Sequence, residues 1–274
     1  MTISRSAPAS NVGAEIRLEN VSVSFGGAPV VAGVDLTVAA GEFVCLLGPS
    51  GCGKSTLLNV MAGFLPASAG RALVSGLPIA GPGADRGVVF QSTEALFPWL
   101  TVRENVEYGP RVRGVPRAVR AEAAQHYLDL VGLSAAADRL PGELSGGMRQ
   151  RAQIARVLVN QPAAVLMDEP FGALDAQTRE VMQMELDRIW RATRPTIVFI
   201  THDIWEAILL ADRVITMTAG PTATFKTVAR IGIEHPRELT SPAAVELFRS
   251  LREDIATEVR KTLQAQGLVH EVAA

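Results

Sequence analysis

Between residues 15 and 47 apolar and polar positions alternate. Ile16 and Leu18, then Val21, Val23 and Phe25, then Val34, Leu36 and Val38 recur at every second place, the period of a strand with one buried face. The phase slips near Asn20, which demands a bulge or a turn there. Farther along, the alternation gives way to short continuous apolar runs at Phe43–Leu47 and at residues 88–90, 163–167, 197–200 and 214–217. Runs of that kind suit parallel strands covered by helices on both faces. The expected architecture is α/β: a mostly parallel sheet with a small antiparallel β part at its N-terminal side.

Residues from about 101 to 160 read as mainly helical. Thr101-Val-Arg-Glu104 has the spacing of a capping box, in which a hydroxyl and a carboxylate three residues on satisfy end amides. Pro116, Pro141 and Gly142 punctuate the stretch, and its place between two parallel strands predicts an inserted helical subdomain, about 92–162. Ser241-Pro242 reads as an N-cap followed by Pro at the first helical position. Ala244, Leu247, Phe248, Leu251, Ile255, Val259 and Leu263 then fall on one helical face, expected to pack against the domain. The expected division is a tail over 1–14, a main domain over 15–235 and a C-terminal helical extension over 236–274. No internal repeat is present.

Composition sharpens this picture in three ways. The 274 residues are 48% hydrophobic with a mean hydropathy of +0.21, yet no apolar run approaches the roughly 20 residues of a membrane span, so the chain is not expected to cross a bilayer. The net charge of −2 argues against binding nucleic acid by bulk charge. Cys45 and Cys52, the only cysteines, suggest no disulfide framework and a reducing compartment. The first residues, rich in Ser, Ala, Pro and Asn, read as a disordered tail rather than a signal peptide.

Chemistry concentrates in three places. Gly48-Pro49-Ser50-Gly51-Cys52-Gly53-Lys54-Ser55-Thr56 directly follows the run Phe43–Leu47 and precedes a helix-like stretch, the strand–loop–helix context of a phosphate-binding loop. Glycines there let backbone amides converge on phosphate oxygens, and the helix N-terminus adds a favourable dipole. Lys54 can neutralise the β- and γ-phosphates, and the Ser55 hydroxyl can ligate Mg²⁺. Asp168 and Glu169 then close a buried strand, where Asp168 would hold Mg²⁺ through water and Glu169 could act as general base towards an attacking water. Leu144-Ser145-Gly146-Gly147-Met148-Arg149-Gln150 lies between them, and its small residues offer free amides and a hydroxyl. By itself that stretch reads equally as a helix N-cap.

Taken together, these motifs resemble the ATP-binding subunits of ABC transporters over about residues 16–225. Gly48 to Thr56 correspond to Walker A, Gln91 to the Q-loop, Leu144 to Gln150 to the signature, and residues 164–169 to Walker B. Phe171-Gly-Ala-Leu-Asp175 is similar to the D-loop, Thr201-His202-Asp203 to the switch histidine segment, and Phe25 to the aromatic that stacks on adenine. The resemblance implies a P-loop NTPase fold, with ATP and Mg²⁺ as cofactors. It implies a head-to-tail dimer in which Ser145, Gly146 and Gly147 complete the partner's nucleotide site, Asp175 is among the nucleotide-binding residues, Gln91 contacts Mg²⁺ and the water, and His202 contacts the γ-phosphate. His126, His235 and His270 keep an ordinary structural reading.

The sequence departs from that pattern in three places: Phe25 stands for the commoner Tyr, Met148 for Gln, and Ala219-Gly-Pro-Thr222 for a Ser-x-x-Pro-Gly-Arg ending. None removes a catalytic group, so ATPase activity is expected. Phe97-Pro98-Trp99-Leu100 reads either as a docking surface for a partner's helix or as a corner of the helical subdomain's core. The stretch from Gln91 to Asn105 is most similar to importers of nitrate, sulfonates and taurine. The resemblance thus implies an ATPase at the cytoplasmic face of the inner membrane, working with integral membrane permease subunits and, indirectly, a solute-binding protein. Two alternatives stand beside it: a soluble, non-transport ABC ATPase, and a non-catalytic nucleotide-binding regulatory module.

Overall fold

The computed structural model describes residues 13–265. Most of the expected tail and His270 lie outside that range. Ala14, within the span expected for the tail, is buried, and its N–H donates to Ala163 O at 3.1 Å.

The alternating segment forms β1 (Ile16–Phe25) and β2 (Ala28–Val38), an antiparallel pair. The slip near Asn20 is a bulge: the register shifts between Leu18 and Val21, Asn20 takes a φ of 49°, and its N–H donates to Asp35 Oδ1 at 2.8 Å. The other edge of β1 pairs with β4 (Ala69–Val74), which in turn pairs with β5 (Leu77–Pro78). This four-stranded antiparallel sheet is larger than the hairpin legible in the sequence. β4 begins Ala-Gly-Arg and is depleted in strand formers; its pairing with β1 supplies what propensity does not.

The continuous runs form the second sheet. Its order is β10-β9-β3-β8-β7-β6, built from β3 (Phe43–Leu47), β6 (Arg86–Val89), β7 (Ala164–Asp168), β8 (Thr196–Ile200), β9 (Arg213–Met217) and β10 (Phe225–Arg230). All neighbours are parallel except the edge pair β9–β10. Alternate residues of each central strand serve different cores. Phe43, Cys45 and Leu47 of β3, with Val165, Met167, Ile197 and Phe199, face the helical side. Val44, Leu46, Leu166, Val198 and Ile200 face the antiparallel sheet and α1 (Lys54–Ala62). Burial on both faces is the reason these strands lack alternation.

Between β6 and β7 lies the helical insertion: α2 (Val102–Val112), α3 (Arg117–Leu130) and α4 (Gly146–Leu158). The capping box opens α2 as read, with Glu104 N–H donating to Thr101 Oγ1 and Thr101 N–H to Glu104 Oε2 at 2.9 Å. After β7 come α5 (Ala176–Thr193), α6 (Ile204–Leu210) between β8 and β9, and α7 (Pro242–Ala265), whose first turn Ser241 caps. Among the described residues no helix is long and apolar enough to cross a membrane.

Trp190 on α5 joins several elements. It is buried, packs edge-on against Phe43 with ring centroids 5.6 Å apart, donates from Nε1 to Gly41 O at 3.2 Å, and carries the Arg194 guanidinium 4.3 Å above its ring. His235, read as structural, sits beside it at 5.5 Å and pairs with Asp187 at 2.8 Å. Trp190→Ala is expected to cost about 3–5 kcal/mol and to lower the thermal midpoint by roughly 10 °C, measured by thermal unfolding followed by circular dichroism.

Candidate active site

The glycine-rich loop joins β3 to α1, and its shape follows from what surrounds it. Gly53, at the N-cap, has a φ of 96°, and a Cβ there would lie 2.6 Å from Val31 Cγ2. Only glycine satisfies both demands. Gly48, Pro49 and Cys52 are buried, whereas Ser50, Gly51 and Ser55 are exposed and Thr56 is half-buried. Lys54 folds back over the loop, its Nζ donating to Gly48 O at 2.8 Å and Pro49 O at 2.9 Å. The result is a cation held above a ring of backbone groups, with the free amides of the first turn of α1 beside it. Burial pushes the Cys52 thiol upward, so it stays a neutral filler.

Asp168 ends β7 next to this loop, and Glu169 follows it. The Ser55 hydroxyl donates to Asp168; burial nevertheless raises the Asp168 carboxyl above its ordinary range, and the charge of Glu169 adds to the rise. Glu169 N–H extends the β7–β8 ladder to Ile200 O at 3.0 Å. Its φ of 45° is left-handed backbone that costs a non-glycine residue about 1–3 kcal/mol and gathers at functional sites. This turn aims the side chain away from the sheet axis. Gln91 Nε2 donates to Glu169 Oε2 at 3.2 Å, and His202 Nδ1 lies 3.4 Å from the same oxygen. The three expected catalytic residues, separated by up to 111 positions in the chain, thus meet on one atom.

Each of the two partners is placed by a network that the sequence reading missed. Gln91 leaves the end of β6 in a loop fastened to α4: Gln150 Nε2 donates to Phe90 O at 3.2 Å, Gln153 Nε2 to Ser92 O at 2.6 Å, and Arg156 Nη1 to Ala95 O at 2.8 Å. Three long polar side chains at i, i+3 and i+6 on an otherwise apolar helix face were the available signal. His202 follows Thr201, whose hydroxyl donates to buried Glu206 at 2.5 Å and accepts from Asp203 N–H at 3.0 Å. Gln183 on α5 holds the other Glu206 oxygen at 2.9 Å. Burial raises the Glu206 carboxyl, opposed by these two hydrogen bonds.

The remaining expected residues lie outside this cluster's hydrogen bonds. Ser145 caps α4, accepting from Met148 N–H at 3.3 Å, and is exposed beside half-buried Gly146 and Gly147. A Cβ at Gly147 would meet Ala173 O at 3.3 Å, so the start of α4 rests against the turn from Phe171 to Asp175. Asp175 caps α5 through Thr178 N–H at 3.0 Å, the bond that chiefly lowers its carboxyl; within this chain its role is that cap. Phe25 is 51% exposed near the tip of the β1–β2 hairpin, on the ribbon whose Val30 and Val31 pack against Gly53. In the segment Phe97 to Leu100, the Phe97 ring packs 4.5 Å from Tyr108, as a corner of the helical subdomain would, while neighbouring Trp99 is 71% exposed. Among the described residues no cluster of three His, Cys, Asp or Glu could hold a metal. A hard cation would therefore rely on Ser55, Asp168 and Gln91 with ligand oxygens, a donor set of the kind Mg²⁺ accepts.

The ABC transporter family matches residues 31–172. A taurine import ATP-binding protein of Chromobacterium violaceum is 46% identical over 251 residues, covering 90% of this chain and 96% of that protein. A nitrate import ATP-binding protein of Synechococcus elongatus is 46% identical over 221 residues, 80% of each chain. Among solved structures, a dimeric ATP-binding cassette in a post-hydrolysis state with ADP and Pi superposes with a TM-score of 0.70 at 30% identity, covering 80% of this chain and all of that one.

Gly53→Ala is expected to destabilise the fold by about 2 kcal/mol, from strain and the contact with Val31, and to disorder the loop. Thermal unfolding measures the first, and loss of protection at the amides of residues 48–56 in hydrogen exchange measures the second.

Proposed function

The chain belongs to the ABC transporter family as an ATP-binding subunit that couples ATP hydrolysis to transport, and we propose that it powers an importer of nitrate, a sulfonate, taurine or a similar small solute. The observation that carries the catalytic part is the meeting of Gln91 and His202 on Glu169 Oε2, beside the loop bearing Lys54.

In this reading the amides of the loop and Lys54 bind the ATP phosphates, and Phe25 offers a ring face to adenine. Glu169 accepts a proton from a water aligned by Gln91, as that water attacks the γ-phosphate; ADP and phosphate are the products. His202, at the rim, donates to the γ-phosphate. Ser55, Asp168 and Gln91 would hold Mg²⁺, which when bound neutralises phosphate charge. Two copies assemble head to tail, with the start of α4 (exposed Ser145 and half-buried Gly146 and Gly147) closing over the partner's nucleotide. One chain type builds both sites by two-fold symmetry. ATP, touching both copies, favours the closed dimer, and hydrolysis removes that bias. The dimeric form of the similar cassette and the free amides of α4 support this arrangement.

The partner on the membrane side is a permease, and the chain sits against it at the cytoplasmic face. A groove of ≈ 470 Å³ lined by Phe97, Tyr108, Val112 and the stem of Arg156, with Trp99 standing 5.7 Å from Phe97, supplies an apolar seat for one of its helices. The names of the taurine and nitrate import relatives support the solute class.

Glu169→Gln is expected to bind ATP as the unaltered chain does but to lose turnover by about 10²-fold or more. Fluorescent-nucleotide binding and phosphate release measure the two. Near-normal release would remove Glu169 as the base, and absence of release from the unaltered chain would favour the regulatory-module alternative. Because burial raises Asp168, a proton competes with the cation there as pH falls through a range set above that of an ordinary carboxylate. Mg²⁺ affinity, titrated with ATP present, is expected to weaken over that range, and Asp168→Asn to flatten the dependence.

A further inference from the structure

The last helix reaches the glycine-rich loop through an intermediary. The fully buried positions of α7 are Ala244, Leu251 and Glu258, so a carboxylate takes the third place on a stripe that otherwise buries apolar side chains. The apolar face read from the sequence put Val259 at that level; Val259 is only half-buried and Glu258 is 1% exposed. A buried carboxylate is costly unless its oxygens are paired, and both are. Oε1 lies 2.8 Å from Lys261 Nζ and 3.2 Å from Lys226 Nζ on β10, and Oε2 accepts the Ala219 N–H at 2.9 Å. Burial pushes this carboxyl up, but the hydrogen bonds from Lys261, Ala219 and Lys226 outweigh it and hold it at about 2.

Ala219 is the second residue of the loop between β9 and β10. Thr218 N–H donates to Thr224 O, and Thr224 N–H to Thr218 Oγ1, both at 2.9 Å, closing the loop at its base. Its far side is tied to β2, with Ala223 N–H on Val30 O at 2.9 Å and Ala32 N–H on Ala223 O at 3.2 Å. Its middle backs the glycine-rich loop, since a Cβ on Gly220 would stand 3.6 Å from Gly51 O; the end of β9 does so too, since a Cβ on Gly48 would meet Met217 Cβ at 3.2 Å. The helix is seated independently of Glu258, because Phe248 stacks on Trp205 of α6 with centroids 4.2 Å apart and planes 13° from parallel.

We propose that Glu258 is a positioning residue for nucleotide binding: by holding the Ala219 N–H it fixes the 218–224 loop behind Gly51 and so sets the shape of the phosphate loop. The inference rests on the reading of residues 48–56 as the ATP site. Glu258→Leu makes the stripe wholly apolar, which keeps the helix seated, but leaves Ala219 without its acceptor. In the full chain this variant is expected to raise both the KM of phosphate release and the Kd for a fluorescent ATP analogue by about tenfold, with kcat at saturating ATP nearly unchanged. Glu258→Gln, which keeps an acceptor, is expected to recover most of the affinity. Phe248→Ala is expected to lower the thermal midpoint while leaving KM in place. An unaltered KM in Glu258→Leu, or an equal rise in Phe248→Ala, overturns the positioning role. Failure of the unaltered chain to bind the analogue instead overturns the ATP site itself, and this inference with it.

Discussion

The Glu169 N–H donates to Ile200 O at 3.0 Å, one residue past the last paired position of β7 and β8. That single bond keeps Glu169 attached to the sheet while its φ of 45° swings the side chain off the strand. Asp168, still in the ladder, keeps the direction imposed by β7 and faces Ser55; Glu169 faces Gln91 and His202. Two adjacent carboxylates are thus turned towards different neighbours by one backbone turn. The strain is sustained because parallel strands buried on both faces cannot slide to relieve it.

The groups around Glu169 come from loops, and loops need anchors. Gln91 is held indirectly, by Gln150, Gln153 and Arg156 gripping the backbone on either side of it. Those residues belong to α4, whose first turn carries Ser145, Gly146 and Gly147. A displacement of α4 therefore moves Gln91 as well, which mechanically links the turn at Ser145 to Gly147 with the residue proposed to align the attacking water. Gln150 Oε1 and Gln153 Oε1 are buried with no hydrogen-bond partner among the described residues. His202 is anchored on the opposite side by Thr201, Glu206 and Gln183, which joins it to α5 and so to the turn after Glu169.

Much of this was legible in the residues themselves. The five central strands that appear as continuous runs were readable because strands buried on two faces must be continuously apolar, and the bulge at Asn20 because a one-residue slip reverses every side chain. The loop from Gly48 to Thr56 and the acidic pair at 168 and 169 were readable because phosphate and cation chemistry tolerate few substitutes. β4 and β10 were not, since their pairing partners rather than their own side chains make them strands. Glu258 and Glu206 were hidden for a related reason: a carboxylate in sequence reads as solvent-facing, and only its partners in space show that burial is affordable.

Sequence alone therefore determined the α/β class, the order of the motifs and the chemical type of each site residue, because hydrophobic period and phosphate chemistry are local constraints. Tertiary structure decided which residues share an atom. Gln91, Glu169 and His202 carry no mark of mutual distance in the chain; the parallel register of β7 with β6 and β8 brings them together. It also decided that a loop at 218–224 and a glutamate on the last helix stand behind Gly51. Those placements depend on register and on packing between distant segments, which no local period encodes.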